Sequence, residues 1–271
     1  MDGKILILSR LLILPILFIF SEYTYSDTDY NPGEVVFISL DENESSMNFY
    51  YNKNLTTKVL KDNKPYLLFG IPYYTKEGKN EFIFKSKKII KKVTLNILRK
   101  KYPIQKIEIK KFKTKTEDEY KRIAKERALM IKAKKQTYNK FPDYRFTMPA
   151  AGPTSGVYGT VRYYNGKKGS YHNGYDIAAD LGTPVHAPSS GIVMLTGNFY
   201  YNGKFIMVNH GNNLISIFLH LDEIAVKKDD FIEKGQIIGA IGSTGLSTGP
   251  HLHWSVMLNN SYIDPLKLID N

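Results

Sequence analysis

The amino-acid sequence predicts a mainly β protein made of two domains joined by a helix. Three observations lead to this prediction. The 271 residues, 42% of them hydrophobic, can fill two modest cores. Short apolar runs, separated by Asn, Asp, Gly and Pro, recur in both halves. A helical pattern is found in one segment between them. We therefore predict an N-terminal segment 1–26, an accessory domain 27–112, a helical linker 113–147 and a C-terminal domain 148–271.

The segment 1–26 has the pattern of an export signal. Lys4 and Arg10 precede an apolar run from Leu11 to Phe20, which is short for a bilayer span and typical of a signal-peptide core. Further apolar residues before Ser9 leave a retained anchor open. We expect the protein to be exported to the periplasm or cell envelope, either cleaved or held at the inner membrane.

Residues 27–112 have the pattern of a small β-sandwich. Their apolar runs are short and regularly spaced, with turn-forming residues between them. The predicted strands are Val35–Leu40, Met47–Tyr51, Tyr66–Ile71, Glu81–Lys85, Val93–Leu98 and Ile104–Ile109.

The linker begins with a helix-capping pattern. Thr116 and Glu119 have the Thr-x-x-Glu spacing of a capping box, and Lys132, Lys134 and Lys135 follow at the other end, as the helix dipole favours. We expect one helix that joins the domains. Its apolar stripe is predicted at Tyr120, Ile123, Met130 and Ile131.

The C-terminal domain is rich in glycine and has no long helical pattern. Its predicted strands indicate a mainly antiparallel fold. They are Gly191–Thr196, Phe205–Val208, Leu214–Leu221 and Gln236–Ile241. All six histidines of the protein lie between His172 and His253, which is a first indication of a functional site.

The absence of cysteine limits the chemistry. It excludes disulfides, thiolate catalysis and cysteine-based metal sites, so a transition metal would be held by histidine and carboxylate.

The positive charge is concentrated in the N-terminal half. Residues 27–150 contain 28 Lys and Arg against 15 Asp and Glu, a net +13, whereas residues 151–271 contain 8 against 9, a net −1. Attraction to an anionic envelope surface is one interpretation. Compositional bias toward lysine is the other, and the sequence leaves both open. No nucleic-acid partner is expected.

Three short motifs contain candidate metal ligands. His172 and Asp176 are four residues apart, a step that returns side chains to one face of a helix or strand. His251 and His253 are two apart in a strand-like segment and should share a face. Ile215, Ile217, Leu219 and Leu221 are predicted to form the apolar face of one strand, and His220 is expected to project from the opposite face. Three imidazoles and a carboxylate match a catalytic zinc site, which needs three protein ligands and an open position.

The other histidines and the glycine-rich loop have simpler interpretations. His186 lies in a predicted turn and His210 between two strands, so both are expected to be structural. The loop Gly242–Pro250 lacks the Gly-Lys-Ser/Thr ending of a phosphate-binding loop. We expect it to be a tight turn that brings His251 and His253 to the site.

Together these motifs resemble the lysostaphin/LytM-type family of zinc metallopeptidases, which cleave peptidoglycan peptides. The resemblance extends from about Gly156 to Leu268. The matching pieces are His172-x-x-x-Asp176, Asp176-Ile177-Ala178-Ala179, Gly182-Thr183-Pro184-Val185, Phe218-Leu219-His220-Leu221 and Gly245-x-Ser247-Thr248-Gly249-Pro250-His251-Leu252-His253-Trp254.

The resemblance implies roles for five residues. His172, Asp176 and His253 would bind one zinc ion per chain, and His220 and His251 would assist the attack of water on a peptide carbonyl. It also implies a twisted antiparallel sheet with a groove for an extended peptide. The region from about Gly33 to Lys135 resembles the β-sandwich and helix of some exported relatives.

Two other function classes share features with this sequence. Degenerate relatives activate a cell-wall amidase without being enzymes, but they lack zinc ligands, whereas all five positions are filled here. A biotinyl or lipoyl carrier would need a lysine at an exposed hairpin tip, typically flanked by methionine, and the sequence has none. A carrier would also leave the histidines unexplained. The sequence leaves open whether the cleaved bond is a D-alanine to diamino-acid cross-link or a glycine bridge.

Overall fold

The structure is a computed structural model, and it describes residues 19–98, 100–108, 114–136, 138, 140 and 142–270. The first 18 residues of the predicted signal or anchor segment lie outside this range. Within the described residues, no helix has the length and apolar character needed to cross a bilayer.

The fold is mainly β, as predicted. The strands of the N-terminal half are β1 (Ile19–Tyr30), β2 (Val35–Ser39), β3 (Tyr50–Tyr51), β4 (Asn54–Leu55), β5 (Thr57–Lys61), β6 (Lys64–Gly70), β7 (Gly78–Lys85), β8 (Ile89–Ile97) and β9 (Ile104–Ile107). Those of the C-terminal half are β10 (Thr154–Gly156), β11 (Val161–Tyr164), β12 (Lys167–Tyr171), β13 (Tyr175–Ala178), β14 (Pro184–His186), β15 (Gly191–Phe199), β16 (Gly203–Gly211), β17 (Leu214–Ile224), β18 (Phe231–Ile232), β19 (Ile237–Ile241), β20 (His251–Leu258) and β21 (Ser261–Ile263). The helices are α1 (Glu42–Ser45), α2 (Glu117–Lys134) and a 3-10 turn (Pro265–Leu268).

The N-terminal half is a β-sandwich. One sheet has the order β1-β8-β7-β3-β4 and the other the order β2-β6-β5. This region differs from the prediction in several places. Strand β5 was not predicted, and strand β7 begins at Gly78, before the predicted start at Glu81. The strand predicted from Met47 begins only at Tyr50, after α1. Asp41 caps this short helix by accepting a hydrogen bond from the Glu44 amide at 2.8 Å.

The sheet β2-β6-β5 is buried on both faces. Along β2, Val36 and Ile38 pack into the sandwich core, while Val35 and Phe37 pack against the core of the C-terminal domain. Leu68 of β6 belongs to that second core as well. Because alternate residues of a strand point to opposite faces, one three-stranded sheet serves two cores.

Helix α2 begins as the capping box predicts. Glu119 N donates to Thr116 Oγ1 at 3.2 Å, and Thr116 N donates to a Glu119 carboxylate oxygen at 2.8 Å. The helix packs its Met130 and Ala133 against the C-terminal sheet. Two members of the predicted stripe, Tyr120 and Ile131, are exposed, because the covered face follows the 3.6-residue period through Ile123, Met130 and Ala133.

The C-terminal domain is a ten-stranded sheet whose described pairings are all antiparallel. Its main order is β10-β13-β20-β17-β16-β15-β18, with β14, β19 and β21 attached at its margins. A further sheet, β12-β11-β9, includes a strand from before α2: β9 pairs in parallel with β11. The predicted boundary at residue 112 groups β9 with the sandwich, whereas its hydrogen bonds join the C-terminal half.

Candidate metal centre

Strand pairing brings Asp176 and His253 together. Asp176 of β13 lies directly opposite His253 in the register of β13 and β20. Both side chains are buried, and Asp176 Oδ1 is 2.8 Å from His253 Nδ1. Directly opposite residues of paired strands have neighbouring Cβ atoms, so the strand pairing itself places Asp176 beside His253.

His172 reaches this pair from the short connection between β12 and β13, and not from a strand. His172 follows β12 and precedes β13, and its Nε2 is 3.0 Å from both Asp176 Oδ1 and His253 Nδ1. His172 and Asp176 thus come together as their four-residue spacing predicts. The residues between them, however, do not form the single helix or strand that was expected. Gly174 makes the approach possible, because a Cβ there would lie 2.6 Å from the Trp254 carbonyl oxygen.

The hydrogen bonds behind these rings show which nitrogens carry protons. His172 Nδ1 is 2.9 Å from the carbonyl oxygen of Val157, which can only accept, so Nδ1 carries a proton and the neutral ring has its lone pair on Nε2. His253 Nε2 is 2.7 Å from Ser255 Oγ, whose hydroxyl donates onward to a side-chain amide oxygen, which leaves the lone pair on Nδ1. Lone pairs of two imidazoles and one carboxylate therefore point at one another.

This donor set fits a divalent cation. The three ligand atoms are 2.8–3.0 Å apart, close to the roughly 3.3 Å edge of a tetrahedron with 2.0–2.1 Å metal bonds. Burial lowers the pKa of His253, which disfavours a proton in place of a cation. Burial alone would raise the pKa of Asp176, but the adjacent His172 and His253 side chains outweigh it and keep the pKa far below its usual range.

His220 reaches the same place through an irregular strand. Its φ of +65° is left-handed, and the pairings of β17 shift register on both sides of it. The predicted alternation fails here: Leu221 packs in the same core as Phe218, not with Ile215 and Ile217. A bulge adds one residue to a strand and turns the next side chain to the other face.

The glycine-rich loop orients both remaining histidines. His220 Nδ1 is 2.9 Å from the Thr244 carbonyl oxygen, and His251 Nδ1 is 2.8 Å from that of Gly249. Both rings therefore carry a proton on Nδ1, and the neutral form of each ring has its lone pair on Nε2. The ring centroids are 5.0 Å apart. Burial lowers the pKa of His220 to about 4, so this imidazole is neutral at pH 7.

An open groove runs past the cluster. The part beside His172, His220 and His253 has a volume of about 300 Å³. A second part of about 440 Å³ continues to helix α2. The two share Asn173, Tyr201, Asn202, Leu219, His253 and Tyr262. This shape suits an extended chain better than a compact molecule.

The two histidines expected to be structural lie outside the cluster. His210 is buried, with Nδ1 3.0 Å from the Ser190 carbonyl oxygen and Nε2 2.8 Å from Ser216 Oγ. His186 is half-buried in β14, and its backbone amide donates to Pro149 O.

Sequence reasoning missed several supporting residues. Ser255, which contacts His253 Nε2, lies two residues after His253 on the same strand face. Strand periodicity could therefore have predicted it. Arg162, whose guanidinium is 3.6 Å from Asp176 Oδ2, lies far from any histidine motif. Its position depends on the pairing of β9 with β11, for which the sequence has no local signal.

Comparison with known proteins agrees with this geometry. Residues 170–265 match the family described as Peptidase family M23. A crystal structure assigned to peptidase M23 from Pseudomonas aeruginosa has a TM-score of 0.70 at 29% identity, covering 88% of this chain and 93% of that one.

Two named relatives match part of the chain. "Peptidoglycan DD-endopeptidase ShyA" of Vibrio cholerae is 40% identical over 101 residues, which are 37% of this chain and 24% of the relative. "DD-carboxypeptidase/endopeptidase Mpg" of Neisseria meningitidis is 35% identical over 97 residues, which are 36% of this chain and 22% of the relative. The chain thus spans about a quarter of the length of these relatives.

Proposed function

We propose that the protein, whose residues 170–265 match Peptidase family M23, is a zinc-dependent metalloendopeptidase that hydrolyses peptide cross-links of bacterial peptidoglycan. The observation that carries this proposal is the convergence of three ligand atoms, from His172, Asp176 and His253, beside the imidazoles of His220 and His251 in an open groove. The names of the relatives support peptidoglycan as the substrate.

The residues present can divide the work of peptide hydrolysis. A zinc ion held by His172, Asp176 and His253 would supply a Lewis acid that polarises the scissile carbonyl and activates water. Nε2 of His220 and of His251 each has a lone pair that can accept the water proton. The protonated imidazole can then stabilise the developing oxyanion or protonate the leaving amine.

We expect one zinc per chain and activity that depends on it. Chelation should stop the release of muropeptides from purified peptidoglycan, and added zinc should restore it, because the chain offers three protein ligands. Metal analysis measures zinc per chain, and mass spectrometry measures the released muropeptides. An active preparation without bound zinc would contradict the proposed metal.

The same assay separates the enzyme from a non-enzymatic activator of a cell-wall amidase. An activator would release no muropeptides alone, with or without zinc, and would stimulate an added amidase. The filled ligand set favours the enzyme, since an activator has no use for three converging lone pairs.

We also propose that the protein is exported to the cell envelope and that its basic half binds an anionic surface there. Attraction between exposed charges weakens as salt screens them. Lys87 and Lys88 are exposed at the β7–β8 turn, so replacing both by glutamine should reduce co-sedimentation with anionic vesicles at low salt. The matched control replaces the exposed Lys227 and Lys228 in the charge-balanced half. Equal binding of both variants and the native protein at every salt concentration would contradict electrostatic recruitment.

A further inference from the structure

Arg162 is the cation nearest the metal cluster within the described part of the groove. It belongs to β11 and lines the groove together with His172, His220 and His253. Its side chain is 29% exposed, so the guanidinium is accessible to a peptide while partly shielded from solvent. The mechanism proposed above has no use for it.

Gln105 of β9 holds the Arg162 side chain in place. Arg162 is paired with Gln105 in the register of β11 and β9, and Arg162 Nε donates to Gln105 Oε1 at 3.2 Å. Arg162 Nη2 is 3.6 Å from Asp176 Oδ2, close enough for ion-pair attraction but too long for a hydrogen bond. Among the described residues, the Nη hydrogens have no hydrogen-bond acceptor.

A guanidinium whose Nη hydrogens have no acceptor is suited to bind an oxyanion, and the oxyanion that a peptide offers is a carboxylate. It presents N–H donors in a planar fork that matches the two oxygens of a carboxylate. Its fixed charge is retained at every physiological pH. A peptide carboxylate that lies in the groove next to the scissile bond would satisfy the open donors.

We propose that Arg162 is a specificity-determining residue that binds a free carboxylate of the substrate peptide beside the scissile bond. A cross-link through a diamino diacid retains such a carboxylate, whereas a glycine bridge has none. The protein would therefore prefer the first kind of cross-link. This inference rests on the proposed peptidase function.

The test uses the full chain and two synthetic cross-linked peptides that differ at one group, a carboxylate or a carboxamide beside the scissile bond. The native protein should have a kcat/KM roughly 10- to 100-fold higher for the carboxylate peptide, as charge-assisted hydrogen bonds allow. In Arg162→Gln this ratio should fall to near one. Arg162→Lys should be intermediate, because an ammonium keeps the charge and loses the fork.

Gln105→Ala tests the support for Arg162. Gln105 is a positioning residue, so its loss should raise KM for the carboxylate peptide and change kcat little. Zinc per chain, measured for every variant, separates this role from an effect on Asp176. Equal losses on both peptides together with lost zinc in Arg162→Gln would overturn the inference and assign Arg162 to support of Asp176.

Two further outcomes keep the inference distinct from the proposed function. Equal cleavage of both peptides by the native protein would overturn the role of Arg162 and leave the peptidase intact. If the zinc-loaded native protein cleaves neither peptide, the proposed function fails. Calorimetric binding of both peptides to metal-free protein then decides the inference: tighter binding of the carboxylate peptide supports it, and equal or absent binding overturns it.

Discussion

Replacing His172, Asp176 or His253 by alanine is expected to remove zinc and abolish hydrolysis together. Each change removes one of three converging ligand atoms and leaves two lone pairs, which form a much weaker site. Zinc affinity should fall by more than about 100-fold, the upper end of the loss that follows removal of a supporting partner alone. Zinc per chain and muropeptide release, measured on the same preparations, test this.

His186→Ala is the matched control for these variants. It also removes a half-buried imidazole from the C-terminal domain, but from β14, outside the cluster. It should keep both zinc and activity. Circular dichroism melting of all variants separates loss of metal from loss of fold. A ligand variant that stays folded, keeps full zinc and remains active would contradict the assigned ligand set.

Replacing His220 or His251 by alanine should instead lower turnover while zinc remains. Neither ring contributes to the three-atom cluster, and both use Nδ1 to bind loop carbonyl oxygens. The expected loss is on the order of 10²- to 10⁴-fold in kcat, the usual contribution of a general acid or base.

The comparison of His251 with His253 is the sharpest part of this test. Both lie on one face of β20, two residues apart, yet only His253 has a ring nitrogen in the cluster. The two alanine variants should both be poor enzymes and differ in zinc content. If His251→Ala loses its zinc and His253→Ala keeps it, the two roles are reversed.

Strand periodicity and motif spacing predicted much of this arrangement. The two-residue step of His251 and His253 places them on one strand face, and Thr116 with Glu119 caps the helix as its spacing indicates. These features are local, because each depends on the geometry of one element. The roles of the five site residues remain predictions until the variants are measured.

Contacts between segments that are distant in the sequence could not be predicted from strand periodicity and motif spacing. The bulge at His220 reverses the side-chain alternation after it, so Leu221 was assigned to the wrong face. Nothing in the sequence beside Arg162 indicates that Gln105 lies opposite it. Such features depend on register between strands, which hydrophobic patterns specify weakly in a mostly exposed strand such as β9.

The sheet β2-β6-β5 makes the two halves of the protein one cooperative unit. Val36 and Ile38 stabilise the sandwich while Val35 and Phe37, their neighbours in the chain, stabilise the other core. Loss of either core would expose one apolar face of a sheet that the remaining core still needs. Unfolding is therefore shared between the halves, and a cut within α2 would leave each fragment with an uncovered, aggregation-prone surface.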